Sequence, residues 1–349
     1  MDISSVDKNL MLADIPKGLD VELHPITEPA FSLHGVMATP DGYARLPHSY
    51  SGKINYGVTA LYRNTAGGRI RFYTDSPFVV VCATSREVVK MAHMTRVGCS
   101  GFDLYVDGVP YGAFVSEWKP DGDTNRFTAI RKIGHAGDVT VYMPLYNNVD
   151  EVFIGIARGA TLTPARGGYL DIPPVVYYGS SVTQGGCATR SGMSYQAILT
   201  RRLGVDHINL GFSGSARGES ALAEYIASLD MSAFVFDYDY NAPTPEHLLA
   251  THKPFFDIIR RAKPDLPIIL MTRPKHSFNA EDVEYEKIVK QTYDAALGDG
   301  DKNVYLVLGT ELMRDAGVDG TVDGCHPTDL GFWSMANALE PVLKAALGI

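Results

Sequence analysis

The sequence predicts two domains: an all-β domain of the sandwich or jelly-roll kind over residues 1–168, then a doubly wound α/β domain with a parallel five-stranded sheet over residues 169–349. The 349 residues are enough for about two domains of ~150 residues each. Short alternating runs fill the first half, whereas apolar strands alternate with helical patterns in the second half, and these two rhythms are typical of different fold classes.

Short strands account for the first half. Residues Arg69–Thr74 alternate polar and apolar side chains, and Phe78–Cys82 form a short apolar run typical of a buried strand. Asp107-Gly108 separates two apolar runs, which is a strong signal for a β-hairpin. Because almost no helical period interrupts this pattern, it favours a sandwich or jelly roll. The further predicted strands are Phe102–Val106, Val109–Val115, Val139–Met143 and Val152–Ile156.

A Gly- and Pro-containing linker precedes the change of rhythm near residue 170. Five strands then alternate with helices, which predicts right-handed crossovers and a doubly wound sheet. In such sheets, ligands bind beyond the carboxyl ends of the strands. The predicted strands are Val175–Tyr178, His207–Leu210, Ala233–Phe236, Ile268–Met271 and Val304–Leu308, and the helices lie around Tyr195–Leu199, Ala221–Ile226, Pro245–Ala262, Glu284–Leu297 and Asp329–Leu347.

Composition excludes several classes of protein. The net charge of −9 argues against a nucleic-acid binder and against attraction to anionic lipid. No apolar run approaches the ~20 residues of a membrane helix, so no membrane partner is expected. The first residues lack a signal-peptide pattern, which predicts a cytoplasmic protein, or an exported one whose signal was removed. The four cysteines match neither a disulfide framework nor a zinc pattern, so no metal site is expected.

Polar residues follow the strands where a ligand would bind. Gly179-Ser180-Ser181 follows the first α/β strand, and a serine on such a tight turn exposes its hydroxyl, although a plain capped turn has the same pattern. A glycine-containing segment with Gly214 follows the second strand. Asn241 follows the third strand, and its side-chain amide is able to donate to a developing oxyanion or simply to start a turn.

Carboxylates and a histidine complete the candidates. Asp237 and Asp239 lie two residues apart on one strand face, as the carboxylate pair of a glycosidase would, although such acids more often pair with an arginine. Near the C-terminus, Asp323 and His326 lie three residues apart in a loop before a helix, where the Asp would orient the imidazole. Alternatively, Asp323 makes only a turn.

Taken together, the chain order Ser, Gly, Asn, Asp, His over residues 174–349 resembles the SGNH (GDSL-type) hydrolase superfamily. Gly-Ser-Ser-Val stands where that family has Gly-Asp-Ser-Leu, and the pattern Gly-x-Ser-x-Thr-x-Gly-Gly is similar to its carbohydrate-esterase-like branch. Residues Gly101–Tyr105 resemble the Gly-x-Asp-Leu-Tyr signature of a β-sandwich domain that precedes SGNH domains in bacterial esterases. The resemblance implies a flavodoxin-like sheet.

The resemblance also implies the chemistry. Ser181 resembles the nucleophile, His326 the general base and Asp323 its orienting partner. The backbone N–H groups of Ser181 and Gly214, with the Asn241 amide, resemble the oxyanion donors. No cofactor is implied. The implied substrate is an O-acetyl group on a plant-type oligosaccharide such as xylan or mannan.

Substrate contacts and assembly are less constrained. Aromatic and cationic residues near the motifs are candidates to bind sugar, although each also suits the core or an ion pair. Cys187 and Cys325 either form a disulfide near the site or are two buried thiols. A homo-oligomer is compatible with the sequence, which does not fix the oligomeric state. The candidate substrate-binding residues are Tyr178, Tyr240, Arg273 and Trp333.

Two other functions compete with the serine esterase. One is a carbohydrate-binding protein whose hydrolase domain has lost activity, which would bind glycans without turnover. The other is a glycosidase using Asp237 or Asp239, which would not depend on Ser181. A further alternative is an esterase or lipase that acts on short-chain esters other than sugar esters.

Overall fold

The computed structural model describes residues 6, 7 and 15–349, and the chain divides into two compact units. The β unit comprises the described residues up to Ala44, with Arg63–Gly168 and Arg190–Gly192. The α/β unit comprises Arg45–Tyr62, Tyr169–Thr189 and Met193–Ile349. The chain passes between the units at residue 168, and Arg45–Tyr62, with helix α1 (Tyr56–Leu61), belongs to the α/β unit although it precedes that point.

Two antiparallel sheets make up most of the β unit. The first has the strand order β1-β12-β6-β10-β9, and the second has the order β13-β5-β11-β7-β8, with β2 also paired to β5. Helix α2 covers Arg96–Ser100. The strands are β1 Val21–Pro25, β2 Ser32–His34, β3 Met37–Thr39, β4 Gly42–Ala44, β5 Arg69–Thr74, β6 Phe78–Ser85, β7 Phe102–Val106, β8 Val109–Phe114, β9 Lys119–Asp121, β10 Thr124–Lys132, β11 Gly137–Tyr142, β12 Glu151–Ala157 and β13 Leu162–Thr163.

One apolar core joins the two sheets. Alternate residues such as Val79 and Val81 of β6 and Ile70 and Phe72 of β5 are fully buried in it. This is the arrangement of a β-sandwich, so the predicted all-β class is confirmed. The β7–β8 hairpin turns at Asp107-Gly108, where both residues have positive φ, as a type I′ turn requires.

A five-stranded parallel sheet forms the centre of the α/β unit. Its strand order is β15-β14-β16-β17-β18, which is the order 2-1-3-4-5 of the flavodoxin-like sheet that the family resemblance implies. Its topological switch point lies at β14, between β15 and β16. The strands are β14 Val175–Gly179, β15 His207–Gly211, β16 Ala233–Asp237, β17 Ile268–Met271 and β18 Val304–Val307.

Helices cover this sheet, and all five predicted helices are present. A short helix starts directly after β14, and the C-terminal helix follows the Asp-x-x-His loop. Among the described residues, none of the helices combines the length and apolar character that crossing a bilayer requires. The helices are α3 Ser181–Gln184, α4 Tyr195–Leu203, α5 Ser220–Ser228, α6 Pro245–Ala262, α7 Ala280–Gly298, α8 Gly309–Leu312 and α9 Asp329–Leu347.

Candidate active site

A tight strand-to-helix turn presents Ser181. Gly179 ends β14, and a Cβ atom there would lie 1.9 Å from the carbonyl oxygen of Asp237 on the neighbouring strand, so only glycine fits. Ser180 caps α3 by accepting from the Val182 N–H at 3.2 Å. Ser181 is therefore the first residue of the helix, where its backbone N–H points out of the helix N-terminus.

The loop before α9 aligns Asp323 with His326. One Asp323 carboxylate oxygen accepts from the backbone N–H groups of Cys325 (3.0 Å) and His326 (2.8 Å). The other oxygen lies 2.7 Å from His326 Nδ1. Burial would raise the pKa of Asp323, but its hydrogen bonds to His326 and Cys325 outweigh burial and lower it to about 2. Asp323 is thus an anion at neutral pH.

Ser181 and His326 are 145 residues apart in the chain but lie in hydrogen-bond contact. His326 Nε2 is 2.9 Å from Ser181 Oγ. The imidazole tautomer that donates its Nδ1–H to Asp323 leaves Nε2 free of a proton, so Nε2 accepts from the Ser181 hydroxyl. This serine–histidine–aspartate chain has the geometry of an activated nucleophile.

Gly214 and Asn241 lie on two loops that meet at one carbonyl group. The Asn241 side-chain amide donates to the Phe212 carbonyl oxygen at 3.0 Å. Gly214, two residues after Phe212, has φ of +65°, a backbone conformation that favours glycine. The intervening Ser213 N–H donates to the side-chain oxygen of Gln184 on α3, at 2.9 Å. The loop after β15 is thereby tied both to α3 and to Asn241.

Two carboxylates considered for a glycosidase are buried. Asp237 accepts from the Thr183 hydroxyl at 3.0 Å, and burial, then the neighbouring Asp239, raise the pKa of Asp237 to about 8. Asp239 accepts from the backbone N–H and guanidinium of Arg273. Since both acids are about 1% exposed, neither is open to a sugar, and the glycosidase interpretation is wrong.

Three of the four candidate substrate-binding residues are occupied elsewhere. Tyr178 is fully buried and stacks on Phe255 at 4.7 Å between ring centroids, so its proposed sugar contact is wrong. Arg273 is 7% exposed because it pairs with Asp239 and Asp282, which also makes its assignment wrong. Trp333 is 48% exposed, but the Arg202 guanidinium covers one ring face at 4.1 Å.

Tyr240 stays a candidate for substrate binding, with the Arg273 guanidinium 4.9 Å from its ring centroid. It immediately precedes Asn241 and is half-buried, and its hydroxyl donates to the Pro274 carbonyl at 3.2 Å. Cys187 and Cys325 do not form a disulfide with each other, and both are reduced thiols. Burial, and then the Asp323 carboxylate, raise the pKa of each thiol to about 11, so neither is a thiolate nucleophile at neutral pH.

Sequence reasoning missed a second layer of residues around the site. In the α/β unit, the buried Arg45 donates to the carbonyl of Gly211, and the Asn55 amide donates to the carbonyl of Ser215 at 2.7 Å. Both contacts hold the loop that contains Gly214. They join residues about 160 positions apart, and no motif or spacing signals such a contact.

The Gly-x-Asp-Leu-Tyr segment also has a structural role inside the β unit. The fully buried carboxylate of Asp103 accepts from Arg190 at 2.6 Å and from the Gly192 N–H at 3.1 Å. The Tyr105 hydroxyl contacts the same guanidinium. Asp103 and Tyr105 therefore bind residues 190–192, which begin nine positions after Ser181.

Comparisons with known families account for both halves of the chain. Residues 173–344 match the model of the GDSL-like lipase/acylhydrolase family, and residues 25–162 match the GxDLY model, the N-terminus of SGNH-hydrolase-type esterases. Both predicted resemblances are confirmed. No curated protein matches the sequence.

Solved structures share the fold over nearly the whole chain. A GDSL-like lipase from Bacteroides ovatus is 29% identical, with a TM-score of 0.82 over 95% of this chain and 99% of that one. The salicylyl-acyltransferase of a tetracycline biosynthetic pathway is 21% identical (TM-score 0.75, 94% and 98% covered). A family two carbohydrate esterase from Clostridium thermocellum, in complex with cellohexaose, is 16% identical (TM-score 0.62, 91% and 99% covered).

Proposed function

Residues 173–344 belong to the GDSL-like lipase/acylhydrolase family, so the protein is an esterase, and we propose that it removes O-acetyl groups from carbohydrate with Ser181 as its nucleophile. The observation that carries the proposal is the continuous hydrogen-bonded chain from Ser181 Oγ to His326 Nε2 (2.9 Å) and from Nδ1 to Asp323 (2.7 Å). Two other hydroxyl–histidine pairs of the α/β unit, Thr200–His207 (2.6 Å) and Thr292–His252 (2.8 Å), consist of residues that are at most 4% exposed, so neither pair is open to a substrate.

The first chemical step forms an acyl-enzyme. Ser181 Oγ attacks the ester carbonyl carbon while its proton passes to His326 Nε2, and Asp323 stabilises the resulting imidazolium. The carbonyl electron pair moves onto oxygen. The N–H groups of Ser181 and Gly214 and the Asn241 amide donate to this oxyanion. Its collapse breaks the bond to the sugar oxygen, which takes the proton from His326.

The second step releases the acid. His326, now neutral again, takes a proton from water, whose oxygen attacks the acyl carbon. The second tetrahedral intermediate collapses, Ser181 recovers its proton from His326, and acetic acid leaves. An alcohol in place of water would carry the acyl group away instead, because it enters by the same route.

Two arguments support a carbohydrate ester as substrate. The family two carbohydrate esterase shares the fold and holds an oligosaccharide in its structure. Tyr240 is half-buried beside Asn241, next to the proposed oxyanion donors. The Arg273 guanidinium lies over its ring at 4.9 Å, so a sugar would stack on the opposite face. Xylan and mannan oligosaccharides are therefore the first substrates to test.

Acetate release is the direct test. Purified protein is incubated with acetylated xylan and mannan oligosaccharides, with 4-nitrophenyl acetate and with a long-chain ester, and with an added unacetylated sugar as acyl acceptor. Ser181→Ala removes the nucleophile, and Ser228→Ala, at the end of α5, is the matched control. We expect acetate from at least one oligosaccharide, at least a 10³-fold loss in Ser181→Ala, and no change in Ser228→Ala.

Other outcomes would contradict the proposal. Turnover that survives in Ser181→Ala would remove Ser181 from the mechanism. Hydrolysis of simple esters but of no acetylated oligosaccharide would overturn the carbohydrate substrate while leaving the esterase intact. Glycan binding without turnover would favour the carbohydrate-binding interpretation.

A further inference from the structure

A cavity of about 290 Å³ opens on the β unit, and none of the residues assigned to the chemistry lines it. It lies beside helix α2 and the loop that follows β8. The buried rings of Phe114 and Phe127 form its apolar base, and the Trp118 indole forms a wall. Its volume lies near the lower end of about 300–1,000 Å³ for small-molecule sites, which suits one ring-sized group.

The Trp118 ring is held in place, so the wall is preformed. Its Nε1–H donates to the Ser100 carbonyl at 2.9 Å, and its ring packs against Phe127 at 5.4 Å between centroids. Phe127 in turn packs against Phe102 at 5.3 Å. The indole N–H is thus satisfied by the protein, and the remaining part of the half-buried ring presents an apolar surface to the cavity.

Hydroxyl groups line the cavity beside this ring. The Ser100 hydroxyl donates to the Val89 carbonyl at 2.7 Å, and the Ser116 hydroxyl donates to the Thr128 carbonyl at 2.8 Å. Because the single proton of each hydroxyl is already donated to a backbone carbonyl, each hydroxyl oxygen is available to a ligand only as a hydrogen-bond acceptor. A ligand that fits must therefore bring hydrogen-bond donors of its own.

The cavity mouth carries an ion pair and one further cation. Arg96 and Glu117 form an ion pair of 2.9 Å, with side chains 67% and 53% exposed. Lys90 is also exposed at the cavity. Glu117 neutralises Arg96, which leaves Lys90 as one net positive charge. A carboxylate and a guanidinium side by side match a pair of adjacent hydroxyl groups, one donating and one accepting.

We propose that this cavity is a second, non-catalytic site that binds one pyranose ring of a glycan. A pyranose has an apolar C–H face for the indole, hydroxyl donors for Ser100 and Ser116, and vicinal hydroxyls for Arg96 and Glu117. A hydrocarbon chain would leave the polar lining without partners, and an organic anion would lack the hydrogen-bond donors that the Ser100 and Ser116 oxygens require. The proposal concerns binding only and does not depend on the esterase activity.

The two tryptophans of the chain allow a direct test. Trp333→Phe leaves Trp118 as the only indole, and Trp118→Phe leaves Trp333 as the matched control. Each full-length variant is titrated with unacetylated xylo-, manno- and cello-oligosaccharides, with hexanoate and with benzoate, while tryptophan emission is recorded. We expect a saturable shift with at least one sugar in Trp333→Phe and none in Trp118→Phe.

A variant at the cavity mouth provides a second test, which is needed if Trp118→Phe does not fold. Glu117→Gln, made in the Trp333→Phe protein, changes only an exposed side chain and should weaken sugar binding about tenfold or more, because a charged hydrogen-bond acceptor is lost. Hydrolysis of 4-nitrophenyl acetate should not change in Glu117→Gln. Saturable binding of hexanoate or benzoate but no sugar, or sugar binding unaffected by Glu117→Gln, would overturn the proposal.

Discussion

Replacing Arg45 tests how the fold supports the proposed active site. Arg45 is 1% exposed, and its guanidinium donates to the carbonyl of Leu61 at 2.8 Å and to that of Gly211. It also lies 4.5 Å from the centroid of the Phe212 ring. Gly211 ends β15 and Phe212 begins the loop that contains Gly214, so Arg45 fixes the point where this loop leaves the sheet.

The structure sets the size of the expected effect. Arg45→Ala removes the guanidinium donor from the carbonyl groups of Leu61, Gly211 and Asn209, and an unsatisfied buried group costs about 1–3 kcal/mol. The lost cation–π contact adds about 0.5–2 kcal/mol. Relief of the buried charge offsets part of this cost. We expect the free energy of unfolding to fall by about 3–5 kcal/mol, and by less in Arg45→Lys, which keeps the charge but loses the planar fork.

Urea denaturation followed by circular dichroism measures the free energy of unfolding of each variant. Hydrolysis of 4-nitrophenyl acetate measures how the substitution changes the activity of the proposed site. We expect kcat to fall at least tenfold in folded Arg45→Lys with little change in KM, because the Gly214 N–H shifts while substrate access is unchanged. Arg158→Ala removes a surface ion pair with Asp20 and is the control, expected to cost at most about 1 kcal/mol. A loss below about 1 kcal/mol in Arg45→Ala would refute the reasoning.

Three further predictions follow from individual contacts. Asn241→Ala should lower kcat/KM for 4-nitrophenyl acetate by about 10²–10³-fold with an unchanged circular dichroism spectrum, and an unchanged rate would remove Asn241 from the proposed oxyanion hole. The pKa of Asp237 is raised to about 8 in the folded state, compared with ~3.9 for an unfolded Asp. Between these two pH values the folded state therefore binds more protons than the unfolded state, so the free energy of unfolding falls as pH rises. Urea denaturation should therefore show Asp237→Asn gaining stability relative to wild type between pH 5 and pH 8, and a constant difference would contradict the raised pKa. Arg273→Met should lower the free energy of unfolding by about 3–5 kcal/mol in the same assay, because it leaves the buried carboxylates of Asp239 and Asp282 without that partner, and a neutral effect would mean that Lys275 and backbone donors suffice.

The residues of the proposed chemistry could be identified from sequence because each lies in a short local pattern. Ser181 follows an apolar strand and a glycine, and Asp323 and His326 lie three residues apart before a helix. Their position at strand ends follows from the alternation of strands and helices alone. The hairpin at Asp107-Gly108 was predictable for the same reason, since turn residues act over only a few positions.

The substrate-binding predictions failed where burial decided the outcome. Tyr178 and Tyr240 both lie next to motif residues, and nothing in their local sequence separates them. In the structure, Tyr178 points into a stack of aromatic rings whereas Tyr240 stays half-buried. Side-chain direction at a strand end depends on which neighbouring elements pack there, so proximity in sequence is a poor guide to accessibility.

The sequence by itself determined the element order, the two fold classes and the candidate residues for the proposed chemistry, because backbone periodicity and turn chemistry are local properties. Only the tertiary structure decided that Arg45–Tyr62 joins the α/β unit, that Arg45 and Asn55 hold the Gly214 loop, and that Arg273 is committed to buried carboxylates. These contacts depend on packing between segments far apart in the chain. Polar groups that are buried away from water need hydrogen-bond partners within the protein, and the tertiary structure determines which partners lie within reach.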